Sequence, residues 1–445
     1  MSVPTGPVDT DLLPATAVIG ADGRLAIGGC DVVELAGTHG TPLFVYDEAH
    51  LRAACREAVA AWGDGVAYAT KAFLCVAMAR LAYEEGMCLD VSTGGELHVA
   101  LTAGVPADRL VLHGNNKSTE ELASALSVGV GRIVVDSSEE IDRIERLVAA
   151  PPELEGGPDD GEAALRWRPK VLARITPGVE VHTHEFVRTG QEDSKFGFGL
   201  ASGAAARAVE RLARLDAEGV VEFVGIHAHL GSQVFALEPF AQAIDVLADF
   251  FAPLGLPELV VGGGLGVAYV NGEEAPPMAE WAASVRDACR RAGIADTVRV
   301  TAEPGRSIVA AAGITLYRVG TVKDVPGHRT YVSVDGGMSD NPRPVLYGSG
   351  YEAFLPREVA APRPVPVRVV GKHCETGDVI VADGYVPDDL AVGDVLCTPV
   401  TGAYGHSMAS NYNKVPRPAV VFVADGVART VVRRETLDDM VRLDV

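Results

Sequence analysis

Between residues 64 and 306 the chain repeatedly places a side chain able to do chemistry directly behind a short apolar run. In order these are Lys71, Asp90 with Ser92, His113 with Asn115, Asp136, Arg174, His227 with His229, the triplet Gly262, Gly263 and Gly264, and Glu303 with Arg306. An amine, carboxylates, imidazoles and guanidiniums therefore recur at one kind of position, the end of a run.

Lys71, in VAYATKAF, is one of seven lysines in the chain. A lysine at the mouth of a barrel is seldom structural. With its amine partly desolvated it can be neutral often enough to form an imine with an aldehyde, although a plain ion pair is an equal alternative. Glu303 tips that balance, because a carboxylate facing a pyridine nitrogen keeps the ring protonated and able to absorb electrons from a carbanion. Three consecutive glycines in GGGLG can bring backbone N–H groups close to a phosphate; the alternative is a tight turn. A dinucleotide fingerprint fails here, since the third glycine position falls on Val267 or Tyr269. Lysine, anion nest and carboxylate together specify a pyridoxal phosphate site.

His227 with His229, and His182 with His184, each form an H-x-H pair, but neither is accompanied by a third ligand at metal-site spacing, so no metal is expected. His229 is better suited to stacking on the cofactor ring, with Ser232 helping to bind phosphate. Asp90 and Arg174 fit either a supporting role at this site or ordinary buried ion pairs.

The elements that must hold these groups are alternating strands and helices. The runs Val66–Thr70, Leu89–Val91, Leu110–Leu112, Ile133–Val135, Val171–Ile175, Val224–His227, Leu259–Val261 and Val298–Thr301 number eight, which closes a (β/α)8 barrel of the TIM type within an α/β fold. Working residues in such barrels stand at the carboxyl ends of the strands. Ser118 with Glu121, and Ser137 with Glu140, have capping-box spacing. Ile141, Ile144, Leu147 and Val148 make one apolar stripe and Phe240, Ile244, Leu247 and Phe251 another, both read as packing against the barrel. PPELEGGPDDG, from Pro151 to Gly161, reads as a surface insertion. After Arg306 strand-like runs dominate (TYVSV, RPVPVRVV, DVIVAD and RPAVVFVADGVARTVVRRE), and residues 15–36 resemble a hairpin around Asp22-Gly23. The expected division is an N-terminal segment, 1–45, pairing with the β domain, a barrel over 46–306, and a C-terminal all-β domain over 307–445.

A chain of 445 residues is long enough for two domains, and a formal charge of -22 repels nucleic acid and anionic membranes, which favours a small-molecule partner. The seven cysteines, scattered and without a C-x-x-C pair, fit a reducing cytoplasm. No basic N-terminal region and no run of about 18 apolar residues suggest export or a membrane span. The protein is therefore expected to be soluble and cytoplasmic.

Nine motifs carry a resemblance to fold-type III pyridoxal-phosphate enzymes, and within them to the diaminopimelate decarboxylases, from about residue 40 to the C-terminus. They are YATKAF (Tyr68–Phe73), HEFVRTG (His184–Gly190), SKFGFG (Ser194–Gly199), HLGSQ (His229–Gln233), GGGLG (Gly262–Gly266), EPGR (Glu303–Arg306), NPRPVLY (Asn341–Tyr347), CETGD (Cys374–Asp378) and GAYGHSMASNYN (Gly402–Asn413). The resemblance implies a barrel with a C-terminal β domain and a head-to-tail homodimer with active sites shared across the interface. It further implies that Lys71 attaches the cofactor, Glu303 faces the pyridine nitrogen and His229 meets the ring. Ser232, the three glycines, Gly305 and Arg306 would hold the phosphate, and Tyr404 would be a further contact. Cys374, arriving from the partner subunit, would be the acid that reprotonates the carbanion, a task a thiol can be tuned to perform. Thr376 stands where the family usually has serine, and Thr70 where a smaller residue is common, so the chain departs from the family pattern at the substrate end and beside the lysine.

Diaminopimelate carries a zwitterionic head at each end, whereas ornithine, lysine and arginine carry only a distal cation. Arg306 and Arg343 can grip a distal carboxylate, Tyr347 can add a hydroxyl, and Glu375 can hold the distal ammonium. An arginine facing the distal ammonium of ornithine or lysine would repel it. The expected reaction is decarboxylation of meso-2,6-diaminopimelate to L-lysine. A relative recruited to another carboxylated amino acid is the nearest alternative. Alanine racemase lacks CETGD and the paired arginines, and a pseudoenzyme would have no need of Lys71 and Cys374.

Overall fold

The eight apolar runs become eight parallel strands in the computed structural model, which describes residues 6–150, 168–178, 194–229 and 231–445. The strands are Ala67–Ala69, Cys88–Val91, Leu110–Leu112, Arg132–Val135, Lys170–Thr176, Glu222–His227, Glu258–Val260 and Arg299–Thr301. Each pairs with the next in sequence order, and Phe198–Gly199 adds a short parallel strand beside the fifth. The ring closes where Ala67 N donates to Ala302 O at 3.0 Å and Ala69 N to Pro304 O at 3.1 Å. This is the expected (β/α)8 barrel.

Its interior is filled, not hollow. Ala67, Cys88, Val111, Val134, Leu172, Val224 and Val260 form one inward cluster, each strand but the last giving one side chain. Burial of a valine- or leucine-sized side chain contributes roughly 1.5–3 kcal/mol, so the layer stabilises the scaffold that the strand ends rely on.

The covering helices bury the stripes read from the sequence. Phe240, Ile244, Leu247 and Phe251 are all buried on Glu238–Phe251, and Ile141, Ile144 and Leu147 on Ser138–Ala149, with Val148 only half-buried. The helix Thr119–Val128 has the full capping box, with Ser118 and Glu121 satisfying each other's backbone N–H. At Ser137 the expected box forms by half. The Ser137 hydroxyl accepts from Glu140 N, but the Glu140 carboxylate lies 2.7 Å from Lys117 Nζ and accepts from Asp136 N at 3.1 Å. A buried ammonium is a stronger attraction for that carboxylate than its own helix terminus.

Contacts divide the chain into a barrel unit, Cys55–Gly266 with Ala275–Gly305, and a second unit, Met1–Ala54, Val267–Glu274 and Arg306–Val445. The second unit is built on one sheet in which Val379–Val386, Val365–Val370, Arg329–Val334, Gly313–Val325, Leu43–Asp47, Ala419–Ala424 and Val427–Val432 follow one another. Val395–Thr398 pairs with the 13-residue strand Gly313–Val325, which serves two neighbourhoods along its length. The last two strands turn at Asp425-Gly426, both with positive φ, as a two-residue hairpin requires. Leu43–Asp47, a run not singled out in the sequence, is wholly buried in this sheet. The N-terminal hairpin makes its own three-stranded sheet, and Leu25 N donates to Pro356 O at 2.8 Å.

No helix among the described residues is long and apolar enough to cross a membrane. The Pro151–Gly161 insertion, the HEFVRTG motif with His182 and His184, and Leu230 lie outside the described residues.

Candidate active site

Lys71 stands just past the first barrel strand, in the single 3-10 turn Thr70–Ala72. Thr70 and Ala72 take the buried positions, and the Thr70 hydroxyl donates to Asp90 O at 2.7 Å. Lys71 between them is exposed, and its charge acts on Asp90 and His229.

At the other strand ends three residues converge. Glu303, after the eighth strand, is buried, with its Oε1 2.8 Å from His113 Nε2 and its Oε2 2.9 Å from His227 Nε2. The two imidazoles meet edge to face at 4.9 Å. Asp90 Oδ1 lies 3.7 Å from the same His113 nitrogen and, among the described residues, has no hydrogen-bond partner. Burial pushes the Asp90 carboxyl up to about 6. His113 sits above its ordinary value: burial pulls it down, but Asp90 and Glu303 more than offset that. Burial holds His227 down at about 4, so it is neutral near pH 7. Glu303, though buried, is held well below the usual carboxylate range by the two histidines.

Residue spacing gives His227 no third ligand; the fold supplies His113 and Glu303, with donor atoms within 4.8 Å of one another. Both Nε2 atoms are engaged by Glu303 oxygens, so the trio is a hydrogen-bonded carboxylate. Spacing could not reveal it, because its members come from three different strands.

The glycine run is explained by the barrel as much as by any ligand. A Cβ at Gly262, where φ is +66°, would stand 2.6 Å from His229 Nδ1; one at Gly263 would stand 2.5 Å from Glu303 O; one at Gly264, φ +117°, 2.6 Å from Gly231 O. Gly263 N donates to His229 Nδ1 at 3.1 Å, so the expected nest of three free N–H groups is reduced by one. That bond orients His229, which is half-buried and held well below the ordinary imidazole value by desolvation and the nearby Lys71 charge. Ser232 is half-buried in the same segment, and a Cβ at Gly305 would press on Ala69 at 2.9 Å.

Of the two readings of Arg174, the ion pair is formed. Its Nη1 is 3.2 Å from Asp136 Oδ2, its guanidinium lies 4.3 Å over Phe196, and Asp136 Oδ1 accepts from Gly197 N. The SKFGFG motif is tied to the fifth strand in this way. Beside it Lys117, which no sequence motif marks, is buried against Glu140 and donates to Gly114 O and Val134 O, each at 2.7 Å.

In the second unit two arginines are packed among tyrosines. Arg306 Nη1 donates to Tyr269 OH at 2.8 Å, and its guanidinium lies 4.8 Å over Tyr404, itself at φ +61°. Arg343 Nη1 donates to Tyr351 OH at 2.5 Å and lies 4.2 Å over Tyr269. Both arginines are buried, and burial pushes the Tyr351 hydroxyl up to about 12, so it stays protonated. Sequence reasoning misses Tyr269 and Tyr351; Tyr347 ends the short helix Arg343–Tyr347 and is half-buried.

Cys374, Glu375, Thr376 and Gly377 are all exposed. Their loop is pinned at both ends. Asp378 Oδ2 accepts from His373 N at 2.8 Å and Oδ1 from Met338 N at 2.6 Å, while Asn413 Oδ1 accepts from Cys374 N at 3.2 Å.

These residues fit pyridoxal phosphate. Each Glu303 oxygen accepts one N–H and retains a lone pair for a ring N–H, Asp90 keeps an orphaned oxygen beside it, and Lys71 offers an accessible amine.

Residues 48–310 match the family model described as "Pyridoxal-dependent decarboxylase, pyridoxal binding domain". The chain is 48% identical over 443 residues to the diaminopimelate decarboxylase of Mycobacterium tuberculosis, with 95% of each chain covered. It is 44% identical over 439 residues to that of Bacillus subtilis, again with 95% of each covered. Among solved structures it is similar to the diaminopimelate decarboxylase of M. jannaschii in co-complex with L-lysine, with a TM-score of 0.85 and 30% identity, covering 97% of this chain and 98% of that one.

Proposed function

This chain belongs to the pyridoxal-dependent decarboxylases, and within them to the diaminopimelate decarboxylases, and from that premise we propose that it converts meso-2,6-diaminopimelate to L-lysine and carbon dioxide. That reaction is the last step of lysine biosynthesis. The observation that carries the reading is the cofactor-type carboxylate of the barrel unit, Glu303 between His113 and His227; two arginines buried in the second unit, Arg306 and Arg343, support it separately.

When bound, pyridoxal phosphate supplies a protonated ring that takes up the electrons left as carbon dioxide departs. Lys71 would provide the amine that holds the cofactor. Glu303 would hold the proton at the ring nitrogen, and His229, oriented by Gly263, would help hold the ring. Ser232, Gly262, Gly264, Gly305 and Arg306 bind the phosphate, with Asp90 and Arg174 steadying the residues around them. Arg306 and Arg343 bind the distal carboxylate, with Tyr347 and Tyr404 beside them, and Glu375 takes the distal ammonium. Cys374 delivers the proton to the carbon that lost its carboxylate.

We infer a homodimer in which each site borrows Cys374 and Glu375 from the partner. The exposed, pinned loop supports this, because it presents the Cys374 thiol at the surface, where a second chain can meet it. A mixture of Lys71→Ala and Cys374→Ala protein should recover roughly a quarter of wild-type activity, since half the dimers would be mixed and each would hold one intact site. No recovery would rule out shared sites. Seven free cysteines and a charge of -22 support a cytoplasmic protein.

The test of the function is carbon dioxide release from meso-diaminopimelate, lysine, ornithine and arginine by the chain with pyridoxal phosphate. Lysine formed from diaminopimelate alone is expected. Arg343→Ala should lose about 10²-fold or more of that turnover while binding cofactor as before. Turnover of ornithine instead, or equal loss of turnover and cofactor in the variant, would sink the assignment of the distal carboxylate to Arg343.

A further inference from the structure

The carboxylate expected to meet the cofactor ring is not alone, and its neighbours make a charge balance. His113, at the end of the third strand, lies between Asp90 from the second and Glu303 from the eighth, 3.7 Å and 2.8 Å from its Nε2. His227 from the sixth strand packs edge-on against it, and the Arg174 charge on the fifth acts on it from a distance. Asp90 in turn feels Lys71 and Glu96. With Asp90 and Glu303 ionised, His113 protonated and His227 neutral, the buried group carries one net negative charge.

We propose that His113 is the positioning residue that keeps Glu303 ionised before pyridoxal phosphate arrives, so that the already protonated ring is received without a proton leaving the protein. The inference rests on the functional reading above. Two carboxylates crowded in a low-dielectric site without a cation share a proton, because like charges cannot both be ionised there. The imidazolium removes that need. The site then waits with one unmatched negative charge, and a protonated ring brings it to neutrality, with a charge-assisted bond at full strength.

The proton balance follows for each variant. In wild type the ring would arrive protonated, Glu303 would accept its N–H, and no proton would be exchanged with solvent. In His113→Gln the amide can still donate, but the positive charge is gone. Asp90 and Glu303 hold a shared proton in the free protein, and this is released to solvent as the protonated ring binds. In Asp90→Asn two cations would face one carboxylate, and His113 releases its proton to solvent as the protonated ring binds. In the double variant Glu303 is again an ionised lone carboxylate, and no proton is exchanged, as in wild type.

The experiment is calorimetric titration of the full chain, freed of cofactor, with pyridoxal phosphate near neutral pH in two buffers of different ionisation enthalpy. Each single variant should take up about one proton fewer than wild type, and the double variant should return to the wild-type number. Proton uptake that is the same in wild type and both single variants, or a double variant no closer to wild type than either single one, would overturn the role of His113. A group needed only for packing would give no such recovery. If His113→Gln does not fold, Asp90→Asn and the double variant carry the same comparison. Failure of the wild-type chain to bind pyridoxal phosphate at all would instead overturn the functional reading, so the two failures are distinguishable.

Discussion

The two rims of the barrel are built from the same residue types and treat charge in opposite ways. At the amino-terminal rim Glu258, which opens the seventh strand, is held by Arg132, which opens the fourth, at 2.6 and 2.7 Å, and by Arg299, which opens the eighth. Nearby Arg109 meets Asp64 at 2.7 Å and Gly86 O at 2.7 Å. Every charge in these two groups has an opposite partner. At the carboxyl rim Asp90 Oδ1 and His227 Nδ1 are buried without a hydrogen-bond partner among the described residues, and Lys71 is exposed. One rim closes its electrostatics for stability; the other leaves it open for a visitor.

The contrast would break most visibly at Lys71. Lys71→Ala should lower decarboxylation by about 10⁴-fold or more. Because the side chain is exposed, the melting temperature should move little, as calorimetry would check. A large stability loss with activity retained would assign Lys71 to the scaffold.

Glu258→Gln tests the opposite rim. It leaves Arg132 and Arg299 without their carboxylate, and a loss of about 2–4 kcal/mol in denaturant unfolding is expected, with kcat held within a few fold where the variant is folded. Unchanged stability, or a loss of kcat in folded protein, would erase the distinction between the rims.

A smaller and subtler effect sharpens the comparison. The Asp90 carboxyl, raised to about 6, is a charge whose burial costs the fold stability. A carboxyl raised above its unfolded value destabilises at pH above the folded pKa, and this penalty fades as pH falls towards the unfolded value near 4. Asp90→Asn should therefore stabilise the cofactor-free protein by about 1–2 kcal/mol above pH 6, and the two proteins should converge near pH 4. Thermal melts at both pH values would decide it, and destabilisation by Asn at high pH would contradict the account.

Much of the barrel and of its working rim is legible in the order of residues alone. Local periodicity marks the eight strands and the apolar faces of the helices, and the ends of those strands carry the amine, imidazoles and carboxylates in order. What periodicity cannot express is partnership. Glu140 has the position of a helix cap and gives its carboxylate to Lys117 instead. Tyr351, eight residues past Arg343, takes the hydrogen bond from that arginine, and nothing in NPRPVLY announces it. Gly263 reads as a free donor and is bound to His229.

By itself the sequence determined which groups stand at strand ends, where glycine must stand, and which family the motifs belong to, because strand and helix periods and short motifs are properties of neighbouring residues. Only the tertiary structure decided which of those groups meet. His113 and Glu303 are 190 positions apart, and His227 and Glu303 are 76. They come within hydrogen-bond distance because the barrel closes its strands into a ring, and closure and register are set by the whole chain at once.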